Sequence, residues 1–128
     1  MNLKTIFKRL ILLDLSLIIL IIVAVFFETK EVADFNMYFE NDYSNALLII
    51  YGIGLLIYLI NLFLLYKFKS IGKQIYFILL IVFIVLTLLL PPSATDSWLY
   101  VLDGLGWATS GAILVLLYFS PIKKEFEK

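Results

Sequence analysis

Two aspartates, Asp14 and Asp103, stand inside runs of apolar residues, where a carboxylate has few reasons to be. In hydrocarbon an Asp at a helix centre costs on the order of 2.5 to 3.5 kcal/mol, so it needs either a partner or a task. The chemistry open to such a group is the binding of a proton or a cation. Asn61, Thr87, Thr109 and Ser110 are further polar groups in the same runs. Placed by helical rise, Asp14 and Asn61 fall near one end of the runs, Thr109 and Ser110 near the middle, and Thr87 and Asp103 near the other end. As a functional site, these six would form a polar ladder for a proton or cation.

A structural role accounts for the same residues with fewer demands. Asp14 and Asn61 share one depth on antiparallel helices, and a hydrogen bond between them, about 0.6 kcal/mol on average within a membrane, would fix helix register. Asp14 would neutralise Lys67, Lys69 or another nearby lysine, Asp103 would be protonated or reach interfacial water, and the hydroxyls would bond their own helices. The structural role is preferred because both acids are shallow and no base lies at mid-run.

Small residues give a packing signal of a different kind. Gly104, Ala108 and Gly111 or Ala112 recur at helical spacing, a seam across which a second backbone can approach, with Gly52 or another copy of the chain as the partner. Gly52-Ile53-Gly54 also precedes Tyr66 by the interval at which Gly104-Leu105-Gly106 precedes Tyr118, the pattern expected of two duplicated hairpins.

The elements that must carry these residues are four apolar stretches, 10–27, 46–66, 75–90 and 98–119, each about long enough to cross a bilayer core of roughly 30 Å. Hydrocarbon offers no partner for an open backbone, and four strands cannot close a barrel, so the stretches are helices. Ser44 and Asn45 are placed to cap the second, Pro91 and Pro92 to stop the third, Asp96 or Ser97 to cap the fourth, and Pro121 follows its end. The fold class expected is all-α, an integral membrane four-helix bundle forming one domain over residues 1–128.

Nine of the ten basic residues lie in alternate gaps between the stretches: Lys4, Lys8 and Arg9, then Lys67, Lys69 and Lys73, then Lys123, Lys124 and Lys128. Short basic loops stay in the cytoplasm, which predicts N-in/C-in topology. The loop 28–45 then lies outside. It carries Glu28, Glu31, Asp34, Glu40 and Asp42 against Lys30, and its Val32, Phe35 and Phe39 fall near one helical face, the pattern of a short interfacial helix. Its acids match no calcium-loop spacing.

With 63% hydrophobic residues and a mean hydropathy of +1.05, the chain has no room for a soluble domain beside four crossings. The absence of Cys and His excludes thiolate zinc sites, imidazole-ligated haem and His-based relays, and no cofactor or metal is expected. The first stretch is longer than a usual signal core and no A-x-A pattern follows Val23, so it reads as a permanent helix in a bacterial cytoplasmic membrane. The partners expected are the lipid bilayer and another membrane protein or a homo-oligomer, not nucleic acid.

Three functions suit such a chain: a non-enzymatic accessory, immunity or partner-binding protein, which demands least of the sequence; a small oligomeric transporter or channel for protons, cations or small solutes; and an enzyme acting on lipids. The third needs an interfacial cluster of acids, bases or metal ligands, and Asp14 beside the lysines is too little for one.

Overall fold

Helix-forming aliphatic residues without an interior proline generate long helices wherever the chain is apolar, and the computed structural model shows how far each one runs. It describes residues 2–40, 45–90 and 93–127 and, of residues 39 and 40, the backbone alone. The roles expected of Ser44, Pro91, Pro92, Asp42, Lys128 and the Phe39 side chain lie outside the described residues. The elements are α1 (Leu3–Val25), α2 (Lys30–Glu40), α3 (Asn45–Tyr66), α4 (Ser70–Leu89), α5 (Ser97–Phe119) and a 3-10 turn (Pro121–Phe126). The chain is all-helical, with no strand among the described residues.

Two helices begin before their apolar runs do. The first stretch was expected from residue 10, but Asn2 caps α1 by accepting the Lys4 N–H on its Oδ1 at 3.2 Å, so Lys4, Lys8 and Arg9 are already helical. The third was expected from residue 75, whereas α4 starts at Ser70. In both places a helix continues through charged residues once its apolar part is packed. Helices α3, α4 and α5 are each long and apolar enough to cross a membrane; α1 reaches that standard only together with α2, from which it is bent by 87°. Much of the apolar surface faces outward, with Leu88, Phe26 and Phe119 at least 80% exposed, the opposite of a water-facing surface.

Helices α1 and α4 run in one direction and α3 and α5 in the other; α1 packs chiefly on α5, and α3 on α4. The spacing echo in the sequence is matched by burial. At the 52-residue shift that pairs Tyr66 with Tyr118, buried Tyr58, Asn61 and Leu65 of α3 fall on buried Ser110, Ile113 and Leu117 of α5. At a shift of 65 residues, buried Phe7, Ile11 and Asp14 of α1 fall on buried Gly72, Tyr76 and Leu79 of α4. Even the lysines correspond. Lys8 lies 4.7 Å above the Tyr66 ring and Lys73 lies 4.5 Å above that of Tyr118. The α1–α3 and α4–α5 hairpins thus share burial at these positions, although buried Leu17 and Ala24 of α1 fall on exposed Val82 and Leu89 of α4.

At the end where the termini meet, Phe7, Phe68 and Phe126 form a triangle of rings with centroids 5.3 to 5.8 Å apart, and Lys4 reaches Glu125 at 2.8 Å. Phe68 holds a left-handed conformation (φ 54) at the end of α3, where its N–H donates to Leu65 and that of Lys69 to Leu64. This is a Schellman cap without the usual glycine, and packing of the Phe68 ring offsets the strain. At the far end, Asp96 does not cap α5 with its side chain. Its carboxylate instead accepts the N–H and hydroxyl of Thr29, both at 2.9 Å, while Asn36 exchanges two hydrogen bonds with the Ala94 backbone. The segment expected to be an interfacial helix is helical, and it is tied to the α4–α5 connection.

Candidate functional site

The repeat brings one residue from each long helix to a common point. Asp14 of α1 is 2% exposed. The Tyr58 hydroxyl of α3 donates to its Oδ2 at 2.8 Å, and Ser110 Oγ of α5 donates to its Oδ1 at 3.3 Å. Tyr58 Oη also lies 3.2 Å from Ser110 Oγ and 3.3 Å from the Tyr76 hydroxyl of α4, which in turn donates to the Ser110 carbonyl at 3.3 Å. Each hydroxyl has a single proton. With the Tyr58 proton on Asp14, its shortest contact, and the Ser110 proton on the other carboxylate oxygen, Tyr58 can accept only from Tyr76, whose proton it shares with the Ser110 carbonyl. The carboxylate is therefore held by two donors from two other helices, which is how a buried acid is tolerated.

Sequence reasoning had paired Asp14 with Asn61 and with lysines, and both pairings are corrected. Asn61 is fully buried one turn further along α3, and neither its Oδ1 nor its Nδ2 has a hydrogen-bond partner among the described residues. Tyr58 reaches Asp14 because its hydroxyl stands a ring's length from the backbone, whereas the short Asn61 side chain ends against the start of α4, where a methyl on Gly72 would meet its Oδ1 at 3.3 Å. Lys67 and Lys8 lie over the rings of Phe63 and Tyr66 rather than at the carboxylate. A lysine stem can lie along apolar surface with its charge outermost, and here the charge meets an aromatic face.

The expected ladder is also broken. Thr87 donates to the Phe83 carbonyl and Thr109 to that of Leu105, each at 2.8 Å within its own helix. These two fit the structural reading, as does Ser16, which bonds Leu12. Ser110 does not, since it joins Asp14. Asp103, two turns from Ser110 on α5, shares a cavity with it.

That cavity has a volume of about 270 Å³ and is lined from all four long helices. Its floor is the buried group Asp14, Tyr58 and Ser110; its rim includes Ile22, Tyr51 and Trp107, which are 36% to 49% exposed. Below the floor, buried Ile11, Leu62, Tyr76 and Ile113 close the interior toward the aromatic triangle. The walls pair equivalent positions of the two hairpins: Tyr51 with Asp103, Leu55 with Trp107, and Ile18 with Phe83. The cavity thus straddles the boundary between the repeats.

The small-residue seam is not used within the chain. A methyl on Gly52, Gly104 or Gly111 would meet nothing within 4 Å, and Ala108 is exposed with Ala112 half-buried beside it. The close approaches occur at Gly54, where a methyl would lie 3.3 Å from the Phe83 ring, and at Gly72, where it would lie 3.1 Å from Leu64 Cβ. Small size permits an approach but does not say which glycine uses it.

Sequence reasoning missed Tyr58, Tyr76 and Gly72. The available signal was Tyr58, one helical turn from Asn61 and seven residues from Tyr51, on the face that carries the polar groups. Among the described residues no cluster of acids able to hold a metal ion is present. Compared with known protein families, curated proteins and solved structures, the chain matches none.

Proposed function

We propose that this chain is a multi-pass protein of a bacterial cytoplasmic membrane, a four-helix bundle with both termini and the Lys67–Lys73 turn in the cytoplasm, and that it binds and moves a small solute without catalysing a reaction. The observation that carries this reading is the cavity at the boundary between two hairpin repeats, floored by the buried Asp14 group. Repeat boundaries near mid-membrane are where transporters assemble their substrate sites. A packed floor below an exposed rim suits a site reached from one side at a time rather than an open pore. The four crossings rest on α3, α4 and α5 together with α1, and the sidedness rests on the basic gaps.

Reconstitution into liposomes tests the function. Proton- or cation-coupled solute flux is expected from the native chain and lost in Asp14→Asn; no flux from the native chain under any gradient would count against transport. Reporters fused to the termini and to the 28–45 segment test the topology, and a terminal reporter found outside the cell would overturn it.

A second reading, an accessory or immunity protein that holds a partner in the same membrane, draws on the open face of Gly104, Ala108 and Gly111. Because the chain has no cysteine, single cysteines at Gly104 and Ala108 allow clean cross-linking in cells. A specific adduct that Gly111→Leu removes would favour this second reading.

A further inference from the structure

We propose that the occupant of the cavity is a small apolar organic cation, a hydrophobic amine or quaternary ammonium, with its charge between Asp14 and Asp103 and its apolar part against the aromatic wall. This assignment rests on the solute-binding reading above and names the class of solute.

Three independent observations converge on it. The first is charge. Two carboxylates line the cavity and no lysine or arginine does. Asp103 has no hydrogen-bond or ion-pair partner among the described residues, so one of the two acids is free to meet a ligand. Asp14 already accepts one hydrogen bond on each oxygen, but a carboxylate oxygen can take a second. An anion would meet two acids and, besides hydroxyls already committed to Asp14, only the Tyr51 hydroxyl and the Trp107 indole N–H as donors, and a neutral solute would leave Asp103 without a partner.

The second observation is the wall. Tyr51, Tyr58 and Phe83 present adjoining rings, with centroids 5.4 Å apart for Tyr51 and Phe83 and 6.0 Å for Tyr58 and Phe83. Trp107 adds a fourth aromatic from α5. Aromatic faces around an acid are the environment in which ammonium groups are held through their quadrupole attraction. The third is size and greasiness. At about 270 Å³ the cavity lies just below the range used by drug-sized ligands, and Leu17, Ile18 and Ile21 are among the aliphatic residues that line it. A hydrated inorganic ion would leave this apolar surface unmatched.

Benzyltrimethylammonium and its uncharged carbon analogue neopentylbenzene have nearly the same shape and differ in charge, so together they separate the class from the cavity. The chain contains two tryptophans, and Trp98→Phe leaves Trp107 as a fluorescence reporter inside the cavity. In detergent micelles the cation should change Trp107 emission saturably. Asp103→Asn, at a half-buried site where folding is safe, should weaken the binding by about tenfold or more, and Phe83→Leu should weaken it further. Neopentylbenzene should bind at least about tenfold more weakly than the cation. If both probes bind equally and Asp103→Asn changes nothing, the cavity is a solute site but the cation assignment is overturned. If neither changes Trp107 emission while the variant remains folded by circular dichroism, both the assignment and the solute-binding reading fail.

Discussion

The two hairpins share a scaffold and differ in chemistry. Several equivalent positions are buried in both, yet α1 places Asp14 where α4 places Leu79, α4 places Tyr76 where α1 places Ile11, and α3 places Tyr58 where α5 places Ser110. None of the four polar residues faces its own kind across the repeat. The donors that satisfy Asp14 come from the partner position on the other helices, so the polar group exists only when both hairpins are together. Common packing supplies the frame, and departures from equivalence supply the site.

The comparison can be broken most severely at its terminal layer, where Phe7 corresponds to Gly72. Phe7 is fully buried in the ring triangle, and Phe7→Ala should cost about 3 to 5 kcal/mol in detergent unfolding. Making the second hairpin imitate the first with Leu79→Asp should cost about 3 kcal/mol, because no unengaged hydroxyl awaits a second carboxylate there. The opposite exchange, Asp14→Leu, should remove solute binding while leaving the unfolding midpoint far less affected.

Smaller effects sharpen the same contrast. Gly72→Ala should destabilise by about 1 to 3 kcal/mol, since its methyl would press on Leu64 Cβ and the Leu65 backbone, whereas Gly104→Ala should be within error of the native chain. Tyr58→Phe should cost on the order of 1 kcal/mol, as an interhelical hydrogen bond in such proteins contributes about 0.6 kcal/mol on average. Equal losses from Tyr58→Phe and Leu79→Asp would show that the polar group is not centred on Asp14.

Much of this was legible in the sequence, for identifiable reasons. Apolar runs marked the long helices, because backbone bonding and apolar surface leave few alternatives, and the glycine-tyrosine echo marked the hairpins. Asp14, Ser110 and Asp103 stood out as polar groups in apolar surroundings, and they do meet around one cavity. The partner of Asp14 was misread because Asn61 was chosen by depth alone, while reach decided the contact: a tyrosine counts as apolar in a run of leucines but carries its hydroxyl well beyond the asparagine amide. Gly72 was overlooked because it precedes the apolar run that α4 extends. The seam of Gly104, Ala108 and Gly111 reported what α5 could accommodate, not what its own chain places there.

The contact between Phe7 and Phe126, and that between Asp14 and Ser110, join residues of the first helix to residues made long after them. At roughly 5 to 20 residues per second the nascent chain waits on the order of ten seconds between them. Throughout that interval the first helix lacks its second ring partner and its second hydroxyl donor. The order of emergence from the ribosome therefore sets when Asp14 gains its full complement of donors.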